Sequence, residues 1–205
     1  MAVIVASAYA SEPTEPHDAN AMWIEPSTID ISGASIGYKF NVTVWANASV
    51  ATEAWQIWLY YPSAYINATR AGYTNGTKSE FFKDIVTMSV TPQFKVVNAT
   101  HNRVDYTETW QSGPFREPGY GSLCWIEFEV VALPPEGTPI EIPLNIKYAY
   151  ESISPPKTWI MDSNDQYISL NVFNATVVPE LGLLAMLALL AFATPTVLYA
   201  YKKKR

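Results

Sequence analysis

The chain has 205 residues, 49% of them hydrophobic and only 16% charged, with a formal net charge of −6. Four of its 13 basic residues are the terminal run 202–205 (KKKR); removing them leaves 9 basic against 19 acidic residues, a net charge of −10. An acidic domain of that kind does not recruit a polyanion, so nucleic acid is excluded as a partner. The single cysteine, Cys124, excludes an intrachain disulfide and any cysteine-based metal site.

In chain order, residues 1–10 (MAVIVASAYA) read as the end of a secretory signal whose start lies upstream. The stretch is apolar and Ala8-Tyr9-Ala10 is a small-x-small cleavage site, but no basic n-region precedes it. Residues 11–20 (SEPTEPHDAN) form a polar, proline-containing spacer. Residues 21–178 are rich in β-branched and aromatic residues and scattered prolines, a composition that favours strands and leaves little room for long helices. Strands are predicted over 22–25, 28–31, 38–47, 55–61, 94–98, 103–110, 123–132, 140–148 and 167–177.

The alternation within them assigns faces. In 38–47, Tyr38, Phe40, Val42, Val44 and Ala46 point one way, while Asn41, Trp45 and Asn47 point the other. In 55–61, Trp55, Ile57, Leu59 and Tyr61 point inward and Trp58 and Tyr60 outward. In 123–132, Cys124, Ile126, Phe128 and Val130 share a face, so the lone thiol is expected in the core; Glu127 and Glu129 share the other. Ser79 to Ile85 (SEFFKDI) is read as one or two helical turns. Strands at this spacing without intervening helices imply an all-β, two-sheet sandwich.

Leu181 to Tyr201 is an uncharged run of 21 residues with seven Leu and five Ala. A hydrocarbon core ~30 Å thick needs about 20 helical residues, so the run is predicted to cross the membrane once. Residues 202–205 then lie in the cytoplasm by the positive-inside rule, and residues 21–178 outside the cell. Six N-x-S/T sequons, at Asn41, Asn47, Asn67, Asn75, Asn98 and Asn174, fit that exported location and are the expected glycosylation sites.

Two resemblances follow from these residues. Phe40-Asn41-Val42-Thr43-Val44, the run Ala54-Trp55-Gln56-Ile57-Trp58-Leu59-Tyr60-Tyr61-Pro62 and the late GSLCWIEFEVVA strand resemble cohesin-like domains. That family implies a jelly-roll-like sandwich with a role in cell-surface adhesion or assembly. The aspartate usual between Tyr61 and Pro62 is missing, so dockerin recognition is not carried over. The tail, with Pro179-Glu180 before the apolar run and basic residues after it, resembles Pro-Glu-Phe-type sorting signals; Leu181 stands where the family has Phe. The resemblance implies either a processed or a permanent membrane anchor.

Chemistry is sparse. His17 lies in the spacer and His101 in a predicted turn, neither in a zinc motif, and no nucleophile elbow, P-loop or dinucleotide fingerprint occurs. Glu127 and Glu129 fit an exposed strand face rather than a catalytic pair, so no catalytic residue and no cofactor are expected. Asp162, Asn164 and Asp165 offer oxygen ligands of the kind Ca²⁺ takes, without the glycine and distal glutamate of a calcium loop. Trp45, Trp58 and Tyr60, on outward faces, are the candidate ligand-contact aromatics. Two readings of function follow: a membrane-held, glycosylated surface protein that binds other surface proteins, or a displayed module that binds surface polysaccharide.

Overall fold

A computed structural model describes residues 17–135, 138–142 and 158–178. The expectations for residues 1–10, for most of the spacer, for Pro179 and Glu180, and for 181–205 lie outside the described residues, as does the end of the 140–148 strand. Thirteen strands follow in order: β1 (Ala21–Glu25), β2 (Thr28–Asp30), β3 (Lys39–Ala48), β4 (Thr52–Pro62), β5 (Ile66–Tyr73), β6 (Val86–Ser89), β7 (Gln93–Val96), β8 (His101–Ser112), β9 (Gly119–Val130), β10 (Ile140–Ile142), β11 (Trp159–Asp162), β12 (Asn171–Phe173) and β13 (Ala175–Val178). Among the described residues no helix is long and apolar enough to cross a membrane.

The strands form a sandwich. One sheet runs β12-β1-β3-β9-β5 and the other β11-β4-β8-β6, with β7 also paired to β8. A third sheet, β10-β13-β2, continues where the chain leaves β1 and β12. The predicted alternation holds in the longest strands: Phe40, Val42, Val44 and Ala46 of β3, Trp55, Ile57, Leu59 and Tyr61 of β4, and Cys124, Ile126, Phe128 and Val130 of β9 all lie in one buried cluster. Fully buried side chains of this size each contribute about 1.5–3 kcal/mol, so these three strands supply most of the reason the two sheets close on one another. Cys124 is a buried free thiol; desolvation first, and the nearby Glu108 carboxylate second, hold its pKa well above the ordinary value.

Three expectations change. Tyr38 is 38% exposed rather than in the core, because β3 begins only at Lys39. Ser79–Ile85 forms turns, not a helix, yet it buries Phe81 and Phe82 completely. The strand predicted at 167–177 is two short ones, β12 and β13, with Tyr167 bridged to Met161.

Candidate functional site

Trp45, Trp58 and Tyr60 do alternate away from the core, but they are not an open platform. Trp45 is 5% exposed and stacks on Trp23, ring centroids 6.3 Å apart; with Ala21 these two form a second, small apolar cluster on the outer side of the first sheet. Tyr60 is completely buried. Over Trp58 the Arg103 guanidinium lies 3.3 Å from the ring centroid, a cation–π contact made by a buried cation. Arg103 donates from Nε to Asp105 Oδ1 at 2.5 Å, and Lys95 Nζ reaches Asp105 Oδ2 at 2.7 Å. Trp45 and Tyr60 are thus buried rather than exposed as their outward direction suggested, while Trp58 stays half-buried beneath the Arg103 guanidinium.

The six sequons divide by exposure. Asn67, Asn75, Asn98 and Asn174 are exposed, whereas Asn41 and Asn47 are half-buried on the central strand β3. Asn47 Nδ2 donates to the His17 carbonyl at 2.9 Å, and the following Thr43 of the Asn41 sequon is buried. Asn41 Oδ1 is buried without a hydrogen-bond partner among the described residues. Asn98 is held differently: its Oδ1 accepts from Thr100 N, Thr100 Oγ1 and His101 N, each at 2.9 Å, in an Asx turn at a loop tip.

The acidic turn closes on its own backbone. Asp162 Oδ1 accepts from Asn164 N at 2.8 Å and Gln166 N at 2.9 Å, and these bonds lower the Asp162 pKa. Desolvation first, then the neighbouring Asp165, raises that of Glu53. Among the described residues no group of three or more His, Cys, Asp or Glu side chains is placed to hold a metal ion.

Nor are the two strand-face glutamates a bare pair. Glu127 is buried and takes Thr69 Oγ1 at 2.6 Å and Lys39 Nζ at 3.2 Å; Lys39 also lies 3.9 Å from Glu129. The alternation hid a further carboxylate, Glu108, on the core side of β8. Fully buried, it accepts from Trp55 Nε1 at 3.1 Å, Ser79 N at 3.1 Å and Thr87 Oγ1 at 2.7 Å. Three neutral donors on one carboxylate tie β4, β6 and the 79–85 turn together; nothing in that set abstracts or delivers a proton to a ligand.

Among the described residues a sheet edge and a cavity stand open to a ligand. Along β6 and β7, at the edge of the second sheet, Val86, Met88, Val90, Phe94 and Val96 are all exposed. Elsewhere, a cavity of about 580 Å³ opens where β1 and β12 end, lined by His17, Trp23, Glu25, Ser27, Phe173 and Asn174. His17 stacks on Phe173 there at 3.9 Å between ring centroids. The cavity residues come from three separate segments, which is why no local pattern marked them.

No protein-family model matches the chain, and no curated protein matches it in sequence. Solved structures do match. A non-cellulosomal cohesin from the archaeon Archaeoglobus fulgidus is similar with a TM-score of 0.50 and 13% identity, covering 80% of this chain and 92% of that one. A type II cohesin domain from the cellulosome of Acetivibrio cellulolyticus gives 0.53 and 14%, covering 78% and 95%. A type I cohesin–dockerin complex from Clostridium thermocellum gives 0.52 and 11%, covering 81% and 98%. At such identities the likeness concerns the backbone alone, and what it establishes is that this chain folds as a cohesin-like β-sandwich.

Proposed function

We propose that this chain is a protein-binding module of the cell surface, held at the membrane by its C-terminal apolar run and glycosylated on its exposed sequons. The observation that carries the reading is the cohesin-like sandwich itself, since neighbours with this backbone were solved gripping a protein partner, dockerin. The site within it is the apolar edge of β6 and β7. Exposed apolar side chains scattered singly need no explanation, but five of them gathered along one open sheet edge, on its two faces, support an interaction surface there. The partner is another surface protein, and the module works by binding, without chemistry.

The test is a pull-down from native envelopes with the full chain as bait. Capture of a defined surface protein, lost in the double variant Met88→Asp/Phe94→Asp, supports the reading; capture unaffected by that variant removes β6 and β7 from the site. Peptide mass spectrometry on the same material addresses glycosylation: modified peptides at Asn67, Asn75, Asn98 or Asn174 are expected, and unmodified peptides at all four would exclude it.

One observation favours polysaccharide as the ligand instead. The cavity at the ends of β1 and β12 combines an exposed ring, Phe173, with the Glu25, Ser27 and Asn174 side chains. A sugar offers a C–H face for stacking and hydroxyls for such polar groups. Retention of the chain on envelope polysaccharide that is abolished by Phe173→Ala would establish this second reading; no retention would dismiss it.

A further inference from the structure

We infer that the end of the sandwich carrying Ile36, Tyr38, Val131 and Leu133 rests against the lipid surface, as a second membrane contact beside the C-terminal run. The inference rests on the proposed membrane anchoring. β13 ends at Val178, paired beside Asp30 of β2, and the Val178 carbonyl accepts from Ile31 N at 3.0 Å. Only two residues separate Val178 from Leu181, the first of the apolar run. Three residue steps span at most about 10 Å of extended chain, so this end of the domain is held at the bilayer surface.

The same hydrogen-bonded segment carries the apolar side chains. Ala34 N donates to Ile31 O, Gly37 N to Val130 O, and Val130 N to Tyr38 O, which sets the 31–38 loop against the exit of β9. Ile36 is 67% exposed and Leu133 53%, with Tyr38 and Val131 exposed beside them. Four large apolar or amphipathic side chains on the loops next to a membrane-bound exit match the composition of an interfacial contact, tyrosine included. Asn98 and His101 lie at this end too, but on the side of the second sheet, since His101 pairs with Pro62 at the exit of β4. The lipid contact is therefore confined to the loops around Ile31–Tyr38 and Val131–Leu133. The opposite end, with Val50 after β3, is ten residues of strand away, roughly 33 Å at about 3.3 Å per residue.

The experiment places a fluorophore at single introduced cysteines, Ile36→Cys, Leu133→Cys and Val50→Cys, in the full chain. Native Cys124 is fully buried and does not compete for label. Each labelled chain is reconstituted into phosphatidylcholine nanodiscs with and without brominated acyl chains. Insertion to ~5–10 Å depth puts the label near the bromines, so quenching at positions 36 and 133 is expected to exceed that at position 50 by at least about twofold. Equal quenching at all three positions, in chains that co-purify with the discs, overturns the lipid contact and leaves the anchor intact. Chains that do not co-purify with the discs overturn the anchor and the lipid contact together.

Discussion

At the scale of single residues, the buried carboxylate of Glu108 separates hydrogen-bond satisfaction from charge. In Glu108→Gln the amide oxygen can still accept from Trp55 Nε1 and Ser79 N, while the Thr87 hydroxyl turns to accept from the new amide. That variant is expected to lose about 1 kcal/mol or less, because Trp55 Nε1 and Ser79 N keep their acceptor and Thr87 keeps one bond with its role reversed. Glu108→Leu orphans three donors at about 1–3 kcal/mol each and is expected to lose at least about 3 kcal/mol. Urea denaturation of both chains checks the pair; equal losses would show that the charge, not the bonding, matters. Two further carboxylates, Glu53 and the buried Glu127, predict opposite pH behaviour. Glu53 has its pKa raised above 4.5 by desolvation and then by Asp165, so the stability it contributes is present below 4.5 and lost as pH rises through its folded value. Glu53→Gln should therefore raise Tm at pH 7, with the gain vanishing in acid. Glu127 is lowered from 4.5, chiefly by the Thr69 hydroxyl and then by Lys39, so its contribution is present above 4.5 and lost as pH falls through its folded value. Thr69→Val should lower Tm at pH 7 and converge with the parent in acid; calorimetric scans from pH 3 to 7 would show whether the gain of one variant and the loss of the other both close toward low pH.

At the scale of elements, two glycines predict how tightly neighbouring pieces are pressed together. A Cβ on Gly121 of β9 would stand 2.8 Å from the Phe81 Cα, which is backbone and pinned by the Phe81 N to Ser122 O bond. A Cβ on Gly72 of β5 would instead meet the Trp125 ring at 2.9 Å, a side chain on the outer face that can swing away. Gly121→Ala is expected to cost about 1–3 kcal/mol as overpacking against a fixed segment, and Gly72→Ala distinctly less. Denaturant midpoints that rank the two the other way would mean that the 79–85 turn is loose. These elements also show what a single sequence can reveal. β3, β4, β8 and β9 were legible because each keeps a period of two over many residues. β5 was missed because its inward set, Ile66, Ala68 and Tyr73, is interrupted by an irregularity between Ala68 and Arg70. β6 was missed because it is an exposed edge strand with no buried side to pattern it, and β11 because its end sits in the turn of Asp162. The cover over the candidate rings was illegible for a different reason. Parity put Trp45, Trp58 and Tyr60 on the outward side, but what covers them, Trp23 for one and Arg103 for another, comes from distant strands. Direction is a local property of a strand, and cover is not.

At the scale of the whole molecule, the open question is whether the small third sheet is a separate unit or part of the sandwich. Its strands β10, β13 and β2 are three to four residues long, too short to be stable alone. Their inward side chains, Ile29, Ile140, Ile142, Ala175 and Val177, belong to the same buried cluster as the cores of β3, β4 and β9. β1 passes into β2 and β12 into β13, so two of the three strands in this sheet are direct continuations of strands in the first. Loss of the third sheet would expose one side of the shared core, and loss of the first would pull away the third. Unfolding is therefore expected to be a single cooperative transition, with backbone circular dichroism and tryptophan fluorescence tracing one curve. The five third-sheet core residues contain no tryptophan, whereas Trp23 and Trp55 report on the first and second sheets, so the two probes would separate if the third sheet melted independently. Coincident curves would also mean that any load carried from a bound partner to the exit at Val178 passes through one cooperative body. A hinge there would show itself as an early, tryptophan-silent step.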